Sequence, residues 1–246
     1  MTTQRPLNDK VALIFGRSRG IGAAIVNRLA ADGAAVALTY ANAADKAAEV
    51  ADQAGKYGVD AMVIQADSAD PQAVRNAVKQ VIERFGRIDI VVVNAGILIL
   101  GTIDDFSLED LDLMLATNVR GVFVAIQACA PHLSDGGRII TIGSNAAIRT
   151  AFAGSSVYSM TKGAVASLVR GIAIDLAPRQ ITVNNIQPGP TATDMTSAHI
   201  DMVRPLIPLG RMGEPEEIAS LAGYLAGPGA GFITGASLTV DGGYVA

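Results

Sequence analysis

Short runs rich in Val, Ile and Ala alternate along this chain with longer segments of helical period, and that alternation leaves few architectures open. Strands joined by helical crossovers form a parallel sheet buried on both faces, whose strands read as continuous apolar runs. The pattern predicts strands over Val11–Phe15, Ala35–Thr39, Asp60–Gln65, Ile88–Val93, Gly137–Ile142, Ile181–Ile186 and Ser237–Val240. Helices are expected over Ile21–Ala31, Asp45–Tyr57, Pro71–Phe85, Leu108–His132, Val157–Ala177 and Pro215–Ala226.

Such crossovers are right-handed, so this order implies an α/β, doubly wound, Rossmann-type fold: a seven-stranded parallel sheet with helices on both faces and ligands at the strands' carboxyl ends. With 246 residues, half of them apolar, a single domain over residues 1–246 is expected. The one segment without clear periodicity is Pro188–Pro215, which holds five of the ten prolines. An irregular stretch of that length is commonly a lid, although a packed surface loop would read the same way.

A formal net charge of -4 argues against a broad basic surface, so neither nucleic acid nor an anionic membrane is expected as a partner. The opening MTTQRPLNDK lacks the apolar stretch of a secretory signal, which suits a cytoplasmic protein. Cys129 is the only cysteine, so no intrachain disulfide or cysteine metal cage can form. Neither His132 nor His199 stands in a metal-like constellation, and no metal is expected.

The first strand runs into Gly16-Arg17-Ser18-Arg19-Gly20-Ile21-Gly22 and then a helix. Glycines at such a turn permit positive φ and let backbone N–H groups approach a pyrophosphate at the helix N-terminus. The spacing G-x-x-x-G-x-G differs from the common G-x-G-x-x-G fingerprint. It is instead that of the short-chain dehydrogenase/reductase family, which the chain resembles over essentially its whole length. Further matches are Asn94-Ala95-Gly96, Asn118, Ser144, Tyr158-x-x-x-Lys162, Pro188-Gly189 and Val240-Asp241-Gly242-Gly243. One departure is Phe15-Gly16-Arg17, where the family has Thr-Gly and a small residue. It questions the usual threonine hydrogen bond at the turn.

The resemblance implies a nicotinamide dinucleotide. A carboxylate at the end of the second strand would bind the ribose 2′-hydroxyl and repel a 2′-phosphate. By family spacing that position is Tyr40; Asn42 nearby is also uncharged, while Arg17 and Arg19 could bond a phosphate or simply face solvent. NADP(H) is therefore expected over NAD(H). The resemblance further assigns Asp67 and Ser68 to the adenine and Asn94, Ala95 and Gly96 to the adenosine ribose, with Pro188, Gly189, Thr191 and Thr193 near the nicotinamide amide and phosphates. Asp67 could equally be a helix cap.

Tyr158 and Lys162 are four apart in a helical segment and share one face. A lysine ammonium beside a tyrosine favours phenolate and brings it toward the working range of an acid/base. The family assignment makes Tyr158 the proton donor or acceptor, Ser144 the polariser of the substrate oxygen, Lys162 also a ribose ligand, and Asn118 the support of a water-linked proton path. Ile97, Asn145, Phe152, Pro190 and Met195 are expected to line the substrate. They are mostly apolar, and with Arg149 free to face water they suggest a hydrophobic ketone, aldehyde or secondary alcohol. Family members commonly form homotetramers, and some relatives are described as binders of cyclic di-GMP, which leaves a nucleotide sensor with little catalysis as the alternative function.

Overall fold

The computed structural model describes residues 5–16, 19–194, 196–197 and 200–246. The expectations for Arg17, Ser18, Met195 and His199 fall outside them. Seven parallel strands form one sheet: β1 (Val11–Phe15), β2 (Ala35–Tyr40), β3 (Ala61–Gln65), β4 (Ile88–Val93), β5 (Leu133–Ile142), β6 (Thr182–Pro188) and β7 (Ser237–Val240). Their spatial order is β3-β2-β1-β4-β5-β6-β7. The chain winds outward from β1 to one edge and then restarts at β4 toward the other. That reversal opens a crevice beyond the carboxyl ends of β1 and β4, where doubly wound sheets hold their ligands.

Successive residues of a strand point to opposite faces, and β1 shows the consequence. Ala12 and Ile14 join the apolar layer under helices α1 (Gly20–Ala31), α2 (Ala44–Gly55) and α8 (Pro215–Ala226). Val11, Leu13 and Phe15 join the layer under α3 (Pro71–Phe85), α5 (Gly121–Cys129) and α6 (Ser156–Leu176). Helix α3 starts where Asp70 accepts the Gln72 N–H, with Pro71 in the first turn, and stops at Gly86, whose φ is 76°. Asp67 is therefore not the cap; its carboxylate accepts the Ala69 N–H in the turn before it.

Two expectations need correction. The apolar run Leu108–His132 is not one uniform α-helix: α4 (Leu108–Leu115) passes into a five-residue π turn, Ala116–Arg120, before α5 and a closing 3-10 turn, Ala130–His132. Composition cannot show this, because the π turn is set by shifted backbone bonds, among them Gly121 N–H to Ala116 C=O. The rod is long and apolar enough to cross a membrane, yet Val122, Ala125, Ile126 and Cys129 are packed into the core. Strand β5 begins earlier than Gly137, because Leu133 pairs with Ile88 ahead of a register shift between Ile88 and Ile90. The described residues of segment 188–215 hold more regular structure than its composition suggests. They include helix α7 (Ile200–Val203), a 3-10 turn at Arg204–Leu206 and a bridge from Thr191 to Gly213.

Candidate functional site

The crevice contains two hollows that share Gly96. The first, of about 390 Å³, lies over the ends of β1, β2 and β3 and is lined by Gly16, Arg19, Tyr40, Asn42, Asp67, Ser68, Ala95, Gly96 and Ile97 among others. Gly16 has φ +103°, and a Cβ there would overlap the Ala95 backbone, so only glycine lets the turn pass under the loop after β4. Asn94 and Ala95 donate their N–H groups to the Phe15 carbonyl at 2.9 and 3.0 Å. Helix α1 opens with no side-chain cap on its first turn, leaving donors and the positive end of its dipole facing the crevice. An uncapped helix start beneath a glycine turn fits a dinucleotide pyrophosphate.

The hydroxyl missing at Phe15 comes from elsewhere: the Gly16 N–H donates to Thr39 Oγ1 at 3.1 Å. Thr39 is fully buried on β2, so a different strand fills the place of the family's threonine. The Arg19 guanidinium donates to Asp194 at 2.7 Å, tying the glycine turn to the segment after β6, and both side chains are largely exposed.

The second hollow, of about 210 Å³, is lined mainly by apolar atoms and lies over the ends of β4, β5 and β6. Asn94, Gly96, Ser144, Asn145, Phe152, Tyr158, Lys162, Pro188, Gly189, Pro190, Thr191 and Thr193 all face it. Tyr158 and Lys162 come from the first two turns of α6, and the Lys162 Nζ stands 5.6 Å from the Tyr158 ring centroid. Lys162 is buried, its Nζ donating to the Ile142 carbonyl at 3.2 Å. Burial pushes its pKa down from 10.5 to about 8. Ser144 Oγ accepts the Ala146 N–H at 3.1 Å as the cap of a 3-10 turn. A Cβ at Gly96 would lie 3.3 Å from Lys162 Nζ and 3.5 Å from Asn118 Oδ1, which places these polar atoms around one point.

Asn118 lies in the π turn, buried, and clamps the chain after β4: Ile97 N–H donates to its Oδ1 at 2.8 Å and its Nδ2 donates to the Ile97 carbonyl at 2.9 Å. The same Nδ2 lies 3.2 Å from Thr161 Oγ1, whose hydroxyl donates to the Tyr158 carbonyl at 2.8 Å.

A family model described as enoyl-(acyl carrier protein) reductase matches residues 16–245. The chain belongs to the short-chain dehydrogenase/reductase family. It is 42% identical to the cyclic-di-GMP-binding biofilm dispersal mediator protein of Escherichia coli (strain K12), over 96% of this chain and 97% of that protein. It is 40% identical to versicolorin reductase stcU of Emericella nidulans, over 96% of each. A crystal structure of a short-chain dehydrogenase from Burkholderia cenocepacia J2315 in complex with NADP superposes with a TM-score of 0.96. It is 49% identical, covering 98% of this chain and all of that one.

Within this short-chain dehydrogenase/reductase, one expected substrate-lining position changes sides. Ile97 faces the hollow over β1–β3 and Leu98 faces the apolar one, because Asn118 locks the Ile97 backbone and neighbouring residues of an extended chain point opposite ways. Gly22 is buried inside α1 and Ile21 reaches the apolar hollow. Sequence reasoning passed over Tyr244, which is buried and lines the apolar hollow beside Val203 and Met212. Only the preceding Asp241-Gly242-Gly243 hints at it, as a turn that brings the carboxyl-terminal tail back over the sheet.

Proposed function

We propose that this protein is an NADP(H)-dependent reductase that interconverts a hydrophobic ketone or aldehyde and its alcohol, with Tyr158 as the acid/base. The observation that carries the reading is that Ser144, Tyr158 and Lys162 line one apolar cavity, with Lys162 and Asn118 meeting beside Gly96, the residue this cavity shares with the hollow over β1–β3. It is supported by a relative named versicolorin reductase and by a structural neighbour in complex with NADP.

The nicotinamide, when bound, supplies or accepts the hydride. Gly16, Gly20 and the first turn of α1 would hold the pyrophosphate, with Asp67 and Ser68 toward the adenine. Arg19 and the uncharged Tyr40 and Asn42 face the hollow where a 2′-phosphate would sit, and no carboxylate ends β2 to repel it. In reduction, Tyr158 gives its phenolic proton to the carbonyl oxygen as negative charge builds there. The ammonium of Lys162 favours the phenolate left behind, and a pKa near 8 keeps most of that charge at neutral pH. Ser144 is set to donate: its Oγ lone pair takes the Ala146 N–H, leaving its own proton for the substrate oxygen. Asn118 acts as a positioning residue, since its amide is spent on Ile97 and Thr161. Segment 188–215 serves as the lid. The apolar groove lined by Leu113, Val119, Phe123, Leu168 and Ile172 suits pairing of chains into a homotetramer.

The test is Tyr158→Phe, with NADPH consumption followed on aryl and alicyclic ketones. Turnover should fall at least about 100-fold with NADPH affinity nearly unchanged. Wild-type activity in this variant would overturn the assignment. The name of the Escherichia coli relative favours one second reading, a cyclic di-GMP sensor on the same fold. Tight binding of cyclic di-GMP with no carbonyl turned over would establish that reading instead.

A further inference from the structure

The apolar cavity has two cationic side chains on its wall, the buried Lys162 and the exposed Arg149, and no carboxylate among the described residues. Arg149 is not a free surface charge. Its Nη1 donates to the Tyr244 carbonyl at 2.8 Å, and its guanidinium carbon stands 5.7 Å from the Tyr244 ring centroid. Among the described residues, no acidic side chain lies within ion-pair distance of it. The nearest turn does contain an acid, Asp241, but that carboxylate is taken by the N–H groups of Gly243 and Val245 and by the Asn145 amide.

The seat itself is built. Gly242 and Gly243 have φ of 64° and 88°, and the Leu209 N–H donates to the Gly242 carbonyl at 3.2 Å. A Cβ at Gly242 would come within 2.8 Å of Ile207, so the turn is pressed against the segment after β6. Tyr244, Val203, Ile207 and Met212 form a small apolar cluster of their own beside the cavity. The tail thus carries a ring and a carbonyl to the place where they fix Arg149. Holding a long side chain in one geometry costs conformational entropy. Here the Nε and Nη2 donors have no hydrogen-bond partner among the described residues, on a held guanidinium that lines an apolar pocket, an arrangement able to recognise a planar anion through two parallel hydrogen bonds.

We infer that Arg149, seated on Tyr244, is a specificity residue for an acidic substituent, and that the preferred substrates are oxo acids whose carboxylate lies across an apolar body from the reacting carbonyl. This rests on the reading of the cavity as the substrate cavity of a carbonyl reductase. The carboxylate is a spectator: hydride reaches the carbonyl carbon, the Tyr158 proton reaches its oxygen, and the acid group leaves unchanged.

Two probes of one shape test it: 4-acetylbenzoate and its methyl ester, as substrates of wild type, Arg149→Gln and Arg149→Lys. Arg149 is exposed, so a charge-assisted pair there corresponds to a preference in kcat/KM for the acid of no more than about tenfold, expressed in KM. Arg149→Gln should remove that preference, costing the acid at least about fivefold more than the ester, and Arg149→Lys should retain part of it. A second measurement needs no turnover: calorimetric affinity of the NADPH complex for 4-tert-butylbenzoate against its primary amide. Acid binding that depends on Arg149, with neither ketone reduced, would sink the reductase reading and leave the anion site standing. Turnover of both ketones without an acid preference, equal losses on both in Arg149→Gln, or equal affinity for acid and amide would each overturn the inference.

Discussion

Replacing Lys162 by Met should make the stability difference from wild type depend on pH, and the structure sets both its sign and its size. Lys162 is 6% exposed; among the described residues its ammonium has no carboxylate within ion-pair distance, and it donates a hydrogen bond to the Ile142 carbonyl. Burial disfavours its charged form and lowers the pKa from 10.5 to about 8. Below about pH 8 both folded and unfolded chains carry the proton, and the folded state bears the full penalty, about 3 kcal/mol at about 1.4 kcal/mol per pKa unit. Between about pH 8 and 10.5 the unfolded chain binds more protons than the folded one, so stability rises with pH until the penalty is gone. Lys162→Met lacks this term; its lost hydrogen bond gives a pH-independent offset of about 1 kcal/mol.

The difference between the two proteins should therefore shift in favour of wild type by about 2 kcal/mol from about pH 6.5 to about pH 9.5. Urea unfolding followed by far-ultraviolet circular dichroism at four or five pH values measures it, and taking the difference cancels the titrating groups remote from Lys162, with Tyr158→Phe as the common background to remove its neighbouring phenol. A difference that stayed constant with pH, or that favoured the variant more at high pH, would refute the argument that Lys162 folds into the site at a desolvation cost.

Tyr40→Asp places a carboxylate at the end of β2, beside the hollow assigned to the 2′-phosphate, and should move the ratio of NADPH to NADH efficiency by at least about tenfold toward NADH. An unchanged ratio in steady-state assays would show that Tyr40 does not face the phosphate. Light scattering at micromolar concentration should give the mass of four chains, and Phe123→Glu, on an exposed apolar side chain of the groove, should shift it to smaller species. A monomeric wild type would remove the tetramer.

What the sequence determined by itself was everything that follows from spacing along the chain. Alternating periods specify a parallel sheet because strand and helix repeats are local properties. Glycines at 16 and 20 mark a turn because only they accept its backbone, and both have positive φ. Tyr158 and Lys162 share a face because they are one helical turn apart. Tertiary structure decided what depends on distant segments meeting. The π turn at Ala116–Arg120 sets Asn118 against Ile97, which turns Ile97 out of the apolar cavity and Leu98 into it. Thr39, 23 residues beyond Gly16, supplies the hydroxyl that Phe15 lacks, because β2 lies beside β1. Tyr244 seats Arg149 across 95 residues, because β7 at the sheet edge returns the tail over the cavity. Partners so far apart leave no periodic trace in sequence, since sheet order and close packing, rather than chain spacing, bring them together.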